Sequence, residues 1–285
     1  MKGIILAGGS GTRLWPLTAA TNKSLLPVFD KPMIYYPLTN LMLYGIREVL
    51  IITNQNQVPL FQNLLGNGNQ WGIEISYAIQ DKPSGIAQAI SIGQDFIGGE
   101  NFALILGDNL IYGPGIGRNL ISQLSFPGAT MTISEVANPS EYGVAYLNQK
   151  DEVTEIIEKP LDGKSNWAIP GLYFLDCDSI ELVKDLKPSL RGELEITELL
   201  RTYLHSSKLK TIKLPRGTAW LDLGNPRSLL DASEFIKSLQ TRQGLLIGSP
   251  EETAWRMGFV RSSTVSIPVN IQNEYSEMLK DLRDD

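Results

Sequence analysis

Short apolar runs at Gly3–Ala7, Val49–Thr53, Ile73–Ile79 and Phe102–Leu106 alternate with amphipathic stretches near Met33–Tyr44, Val58–Leu65 and Ile86–Phe96. Runs of that length fit buried strands, and apolar positions recurring at helical spacing fit helices with one face in a core. The alternation predicts a layered α/β fold around a mixed, mostly parallel central sheet. From Ala129 onward the segments shorten to Thr130–Val136, Gly143–Leu147, Val153–Glu158 and Trp167–Phe174, mixed with proline and glycine. Helices are expected at Ser179–Leu186 and Glu193–Leu204, with a strand near Lys210–Leu214. After Asn225-Pro226 the pattern is helical over Arg227–Leu239, Pro250–Met257 and Tyr275–Leu282, and Ser249-Pro250-Glu251-Glu252 makes a good helix start. These breaks divide the chain into a core over residues 1–225, itself in halves 1–128 and 129–225, and a helical segment over 226–285.

Open α/β sheets gather ligands beyond the carboxyl ends of their strands. There the first run enters Leu6-Ala7-Gly8-Gly9-Ser10-Gly11-Thr12-Arg13-Leu14. Gly8, Gly9 and Gly11 let backbone N–H groups converge on a small anion, with Arg13 as a forked cation at the far end. Lys23, ahead of Leu25-Leu26-Pro27, supplies a second cation. Two familiar phosphate loops are excluded. A dinucleotide fingerprint needs glycine or alanine where Leu14 stands, and a Walker loop needs Gly-Lys-Ser/Thr where Gly11-Thr12-Arg13 stands. By itself, a glycine cluster equally serves a strand-to-loop turn.

With 285 residues, 42% hydrophobic and 20% charged, the chain has material for a sizeable core. Its net charge of −6 gives no general field for a polyanion, so nucleic acid is not an expected partner and phosphate binding must be local. Cys177 is the sole cysteine, which excludes an intrachain disulfide and suits a small core residue in a reducing compartment. No segment approaches the roughly 20 apolar residues of a membrane span, and the apolar start is too short for a signal-peptide core. A soluble cytoplasmic protein is expected. His205, beside Ser206-Ser207-Lys208, reads as a solvated helix end rather than a catalytic or metal-binding histidine.

Asp108 follows the apolar run ending Leu106-Gly107, and Asp222 follows Ala219-Trp220-Leu221. Carboxylates at strand ends beside a phosphate cradle suit Mg²⁺, whose octahedron phosphate oxygens and water would complete. Asp-Asn and Asp-Leu-Gly are also ordinary turn sequences. Glu158 and Lys159, closing a strand-like run, suit sugar hydroxyls and a phosphate, or else an exposed ion pair. Arg191 offers a further phosphate contact or a solvated charge, and Gln80 with Gly85 offers an amide for a base edge or an ordinary surface residue.

Leu6–Arg13, Lys23 with Leu25–Val28, Asp30–Leu38, Leu106–Asn109, Glu158-Lys159-Pro160, Arg191–Thr197 and Trp220-Leu221-Asp222, with Pro250–Phe259, span nearly the whole chain. Together they closely resemble the sugar-nucleotide pyrophosphorylase family of nucleotidyltransferases, and within it the thymidylyltransferase branch. The resemblance implies a Rossmann-like nucleotidyltransferase core, with the nucleotide-binding half at 1–128 and the sugar-phosphate-binding half at 129–225. It also implies a homotetramer, Mg²⁺ as cofactor, dTTP and glucose 1-phosphate as substrates, and dTDP-glucose and pyrophosphate as products. Gly8, Gly9, Gly11, Thr12 and Arg13 would then bind the triphosphate, Lys23 the reacting phosphates, and Gln80 with Gly85 the thymine. Asp108 and Asp222 would carry the metal, with Asp108 also at the nucleotide. Asn109, Gly143, Glu158, Lys159 and Ile169 would form the sugar-phosphate side, to which the charge of Arg191 is expected to add a contact.

Several positions depart from the family pattern. Leu223 and Asn225 stand where threonines are usual, and the lost hydroxyl is expected to weaken support for the metal. Ile169 replaces a usual valine, Ser24 a glutamine and Pro170 a threonine. Pro114 replaces a histidine near the family's regulatory nucleotide site, which puts feedback by a nucleotide sugar in question. A uridylyltransferase, a relative using another sugar phosphate, or a non-catalytic nucleotide-sugar sensor are the alternatives. A substrate panel separates the first two from the main reading, and pyrophosphate release separates the last.

Overall fold

The first apolar run forms β1 (Lys2–Leu6), which lies inside the sheet and runs parallel to both neighbours. The structure, a computed structural model, describes residues 1–9, 11–161, 163–264 and 271–284, so Ser10 of the glycine loop lies outside it. After β1 come a hairpin of β2 (Pro27–Val28) and β3 (Lys31–Pro32), then α1 (Tyr35–Leu43), β4 (Glu48–Thr53), α2 (Val58–Leu65), β5 (Glu74–Ile79), α3 (Gln88–Ile92), α4 (Gln94–Ile97) and β6 (Phe102–Leu106). The next stretch holds β7 (Asn109–Tyr112), α5 (Arg118–Ile121), β8 (Ala129–Glu135), β9 (Gly143–Leu147), β10 (Val153–Glu158), β11 (Trp167–Ala168) and β12 (Leu172–Leu175). It continues with α6 (Ser179–Lys184), α7 (Ile196–His205), β13 (Leu209–Lys213) and β14 (Ala219–Asp222), before α8 (Pro226–Gln243), α9 (Pro250–Arg256) and α10 (Glu274–Asp284).

The main sheet is ordered β10-β9-β11-β8-β12-β6-β1-β4-β5, with β13 beside β8. It is mixed. Strands β6, β1, β4 and β5 are mutually parallel, and the pairings from β6-β12 out to β9-β10 are antiparallel, with β13 parallel to β8. Side chains alternate across the strands, so Ile5, Ile51 and Ile105 pack with Leu38 and Leu41 of α1 and Phe61 of α2. Ile4, Leu50 and Leu104 belong to the opposite core, with Ala89 and Ile90 of α3 and Leu199 and Leu200 of α7. This gives three layers. Each fully buried aliphatic side chain contributes roughly 1.5–3 kcal/mol. A third core joins Leu14, Val28, Met33, Leu110 and Leu223 to Ala232 and Ile236 of α8.

Four segments differ from the sequence pattern, each for a local reason. Asn109–Tyr112, to which the sequence pattern assigned no element, is a strand, β7, because β14 pairs with it. The stretch Ile86–Phe96 divides into α3 and α4 at Gly93, a residue of poor helix propensity. Trp167–Phe174 divides into β11 and β12 around Pro170, which has no N–H for a ladder. The helix expected from Glu193 begins at Ile196, because Leu194 is tied instead by N–H to Ser84 C=O at 2.7 Å and by C=O to Ala87 N–H at 3.1 Å. Cys177 is half-buried against the second core, and His205 is exposed at the end of α7.

Candidate active site

Parallel register levels the strand ends, since Leu6 pairs with both Ile52 and Leu106. Leaving β1, Ala7 N–H still bonds to Ile52 C=O at 2.8 Å before the glycines begin. Gly11 has φ 62°, a left-handed conformation costly for a side-chain-bearing residue, and it opens the single turn Thr12–Leu14. Thr18 Oγ1 donates to Gly11 C=O at 2.9 Å. Leu14 is fully buried in the third core, which anchors the turn and leaves the preceding Arg13 exposed at the cavity.

Lys23 begins a second short turn, Lys23–Leu25, capped by Asn22, whose Oδ1 accepts from Ser24 N–H at 2.8 Å. The Asn22 Nδ2 group donates to Ala7 C=O at 2.9 Å, fastening this turn to the end of β1. The Lys23 ammonium pairs directly with Asp108 Oδ2. Burial pushes the Asp108 carboxyl up, but the Lys23 charge, with hydrogen bonds from Lys23 and Asn109, holds it below its ordinary value.

Asp222 reaches Asp108 through the β7-β14 pair, in which Asp222 lies opposite Asn109 and Leu223 N–H donates to Asp108 C=O at 3.0 Å. Burial and then the Asp108 charge push the Asp222 carboxyl up to about 6. Two carboxylates forced together in this way favour a cation between them. Among the described residues no cluster of three or more His, Cys, Asp or Glu side chains could hold a metal. A cation here would take the two aspartates and draw its other ligands from substrate and water, which is the habit of Mg²⁺. The side chain of Leu223 is fully buried in the third core, and Asn225 caps α8 by accepting from Ser228 N–H at 3.0 Å, so neither offers the carboxylates a hydroxyl.

Two adjoining cavities meet at Arg13, Leu106 and Asp108. The first, of about 260 Å³, is lined by Gly9, Gly11, Thr12, Arg13, Lys23, Ser24 and Gly224 among others. The second, of about 250 Å³, holds Asn109, Gly143, Glu158, Lys159, Ile169, Arg191 and Asp222. Arg191 contacts Glu195 at 2.9 Å, Glu158 at 3.0 Å and Glu193 at 3.5 Å, so its charge orients carboxylates here. Burial, then Glu195, pushes the Glu158 carboxyl up, against Arg191 and Lys159. Lys159 has φ 47°, unusual for a non-glycine residue and a mark of a constrained site.

Gly8, Gln80 and Gly85 do not line either cavity. Gly8 and Gln80 lie against each other beside the loop, and Gly85 packs on the Leu194 backbone. Tyr142, Trp220 and Thr197 line the second cavity without having been singled out in the sequence. Tyr142 and Trp220 have ring centroids 4.8 Å apart, Trp220 Nε1 donates to Asn109 Oδ1 at 2.6 Å, and Thr197 Oγ1 donates to Glu158 Oε2 at 3.2 Å. Trp220 and Thr197 sit within quoted motifs, and that adjacency was the available signal. Tyr142 adjoins Gly143, itself expected on the sugar-phosphate side. A glycine loop flanked by two cations thus faces a polar and aromatic recess across a carboxylate pair. Such an arrangement suits phosphoryl transfer between two bound substrates.

Comparison with known proteins agrees with this geometry. The profile of the family described as nucleotidyl transferase matches residues 2–238. A glucose-1-phosphate thymidylyltransferase of Mycobacterium tuberculosis (strain ATCC 25618 / H37Rv) is 53% identical over 91% of this chain and 90% of its own length. One from Xanthomonas campestris pv. campestris (strain B100) is 49% identical over 98% of this chain and 95% of its own length. Among solved structures, a candidate glucose-1-phosphate thymidylyltransferase from Bacillus anthracis, in complex with sucrose, aligns with a TM-score of 0.77 at 38% identity, covering 82% of this chain and 94% of that one. No helix among the described residues is long and apolar enough to cross a membrane.

Proposed function

The chain belongs to the nucleotidyl transferase family, and from that premise we propose that it transfers the thymidylyl group of dTTP to α-D-glucose 1-phosphate, forming dTDP-glucose and releasing pyrophosphate. The observation that carries this reading is the pair of cavities meeting at Arg13 and Asp108. One has the cations and glycine backbone a triphosphate needs, and the other has the carboxylate and aromatic walls a hexose needs.

A sugar-phosphate oxygen attacks the α-phosphorus. Its new P–O bond forms as the bond to the bridging oxygen of the β-phosphate breaks, and that electron pair leaves with pyrophosphate. A phosphate monoester has a second pKa near 6, so the nucleophile is already ionised at neutral pH and no strong general base is required. Catalysis is therefore placement and charge neutralisation. Arg13, on the wall common to both cavities, neutralises the departing pyrophosphate, and Lys23 neutralises the transferred phosphoryl group. Lys159 holds the attacking phosphate, and Glu158, steadied by Arg191 and Thr197, accepts from sugar hydroxyls. Gln80 with Gly85 would hold thymine. Asp108 and Asp222 fit Mg²⁺, which when bound supplies Lewis-acid stabilisation of phosphate charge.

Gly143 leaves room that the hexose would use. A methyl group added there would lie 2.7 Å from Thr197 Cγ2 and 3.2 Å from Glu158 Oε2. Gly143→Ala is expected to raise KM for glucose 1-phosphate about tenfold, in line with the roughly 1–3 kcal/mol cost of overpacking, and to leave KM for dTTP near wild type. Steady-state kinetics with each substrate varied reads this split.

Pyrophosphate release from dTTP, glucose 1-phosphate and Mg²⁺, with each component omitted in turn, tests the reaction. Turnover should require all three. Binding of dTDP-glucose without any pyrophosphate release would overturn the enzyme reading in favour of a sensor, and turnover with UTP but not dTTP would overturn the base assignment. The family resemblance also supports a cytoplasmic homotetramer, and light scattering of the purified chain tests the assembly.

A further inference from the structure

The amide of Gln80 is held in one orientation, and the hold can be traced to a backbone group. Gln88, at the start of α3, accepts a hydrogen bond at Oε1 from Ser84 N–H at 3.0 Å. A peptide N–H is always a donor, so this bond fixes which end of the Gln88 amide is oxygen. The same Oε1 accepts from Gln80 Nε2 at 2.7 Å. The nitrogen end of Gln80 therefore faces α3. Its oxygen end faces the glycine loop, so close that a Cβ on Gly8 would lie 2.1 Å from Gln80 Oε1. The Gln80 backbone is fixed too, by N–H to Thr53 C=O at 2.8 Å. With its nitrogen turned to the two carbonyls, Asn54 donates to Gly8 C=O at 3.1 Å and Gln80 C=O at 3.0 Å. Gln80 is 2% exposed.

A free amide is a poor reader of pyrimidines. In one orientation its oxygen accepts from the N3–H of thymine or uracil while its nitrogen donates to the neighbouring carbonyl. Rotated by half a turn, it matches cytosine equally well, donating to N3 and accepting from the exocyclic amine. Selection between the two needs something that forbids the rotation. We propose that Gln88 is a positioning residue for base selection: by engaging Gln80 Nε2 it keeps Gln80 Oε1 on the nucleotide side, where it fits the imide edge of thymine or uracil and opposes the cytosine edge. This rests on the proposed function, in which Gln80 meets the base.

The test compares kcat/KM for dTTP and dCTP, at saturating glucose 1-phosphate and Mg²⁺, in wild type and in Gln88→Met, Gln88→Ala and Gln88→Glu. The methionine and alanine variants have no side-chain acceptor, and their preference for dTTP should fall at least about tenfold. The glutamate variant presents a carboxylate oxygen to both N–H groups and should retain a preference near that of wild type. A merely structural role predicts losses of activity without this pattern. The proposal is overturned if the methionine and alanine variants keep the wild-type ratio, if the glutamate variant loses it equally, or if the wild type itself does not discriminate. Thermal unfolding shows which variants fold, and either of the two lacking an acceptor suffices against Gln88→Glu. Wild-type inactivity with both nucleotides would instead overturn the proposed reaction. Thermal shifts induced by dTTP and dCTP across the same four proteins would then still read whether Gln88 sets the preference.

Discussion

Arg13→Ala lowers kcat by about 100- to 1,000-fold, the loss expected when one preorganised donor to a developing anion is removed, worth ~3–4 kcal/mol. The guanidinium stands where the two cavities join, so in the proposed reaction its charge would lie at the reacting phosphates rather than at either substrate's distant end. For that reason the loss should fall on kcat more than on KM for dTTP. Folding should survive, because Arg13 is exposed and the turn is anchored by buried Leu14. Arg13→Lys should recover only part of the rate, since an ammonium keeps the charge but not the fork. Single-turnover pyrophosphate release from the alanine variant at near the wild-type rate would remove Arg13 from the mechanism.

Asp222→Asn should abolish most turnover, again by at least about 100-fold, yet make the ligand-free protein more stable at neutral pH. Burial and Asp108 raise the Asp222 carboxyl from 3.8 to about 6 in the folded chain. A raised acid favours the folded state while it stays protonated. That contribution is fully present below about pH 4 and is lost as pH rises through about 6. Asparagine imitates the protonated form at every pH. The variant should therefore unfold at the same temperature as wild type near pH 4 and a few degrees higher above pH 6.5, for a difference of the order of 1–3 kcal/mol. Adding dTTP with Mg²⁺ should reverse the order, because wild type gains ligand stabilisation that the variant cannot match. Equal unfolding temperatures across the whole pH range would mean that the two carboxylates do not share a charged site.

Strands β1, β4 and β6 were legible because each is a short apolar run buried on both faces, and β5, at the sheet edge and only partly buried, still showed as a short run of strand-forming residues. The glycine loop after β1 was legible as a tight turn because glycine adopts the left-handed φ of 62° at Gly11 without steric cost. Less could be read where one residue serves two elements. Asn109–Tyr112 is only four residues long, and the partner that makes it a strand, β14, lies far along the chain. The same distance hid Tyr142, which reaches the second cavity beside Gly143 through the pairing of β9 and β10.

Residue order alone determined the α/β layering, the glycine turn with Arg13 and the presence of Asp108 and Asp222 at strand ends, because periodicity, backbone freedom and side-chain charge are local properties. Tertiary structure decided that the two aspartates meet, that Leu223 points into a core and not at the carboxylates, and that the oxygen of Gln80 faces Gly8. Each of those outcomes depends on hydrogen-bond pairing or packing between segments remote in sequence, and no local preference encodes which remote segment will supply the partner.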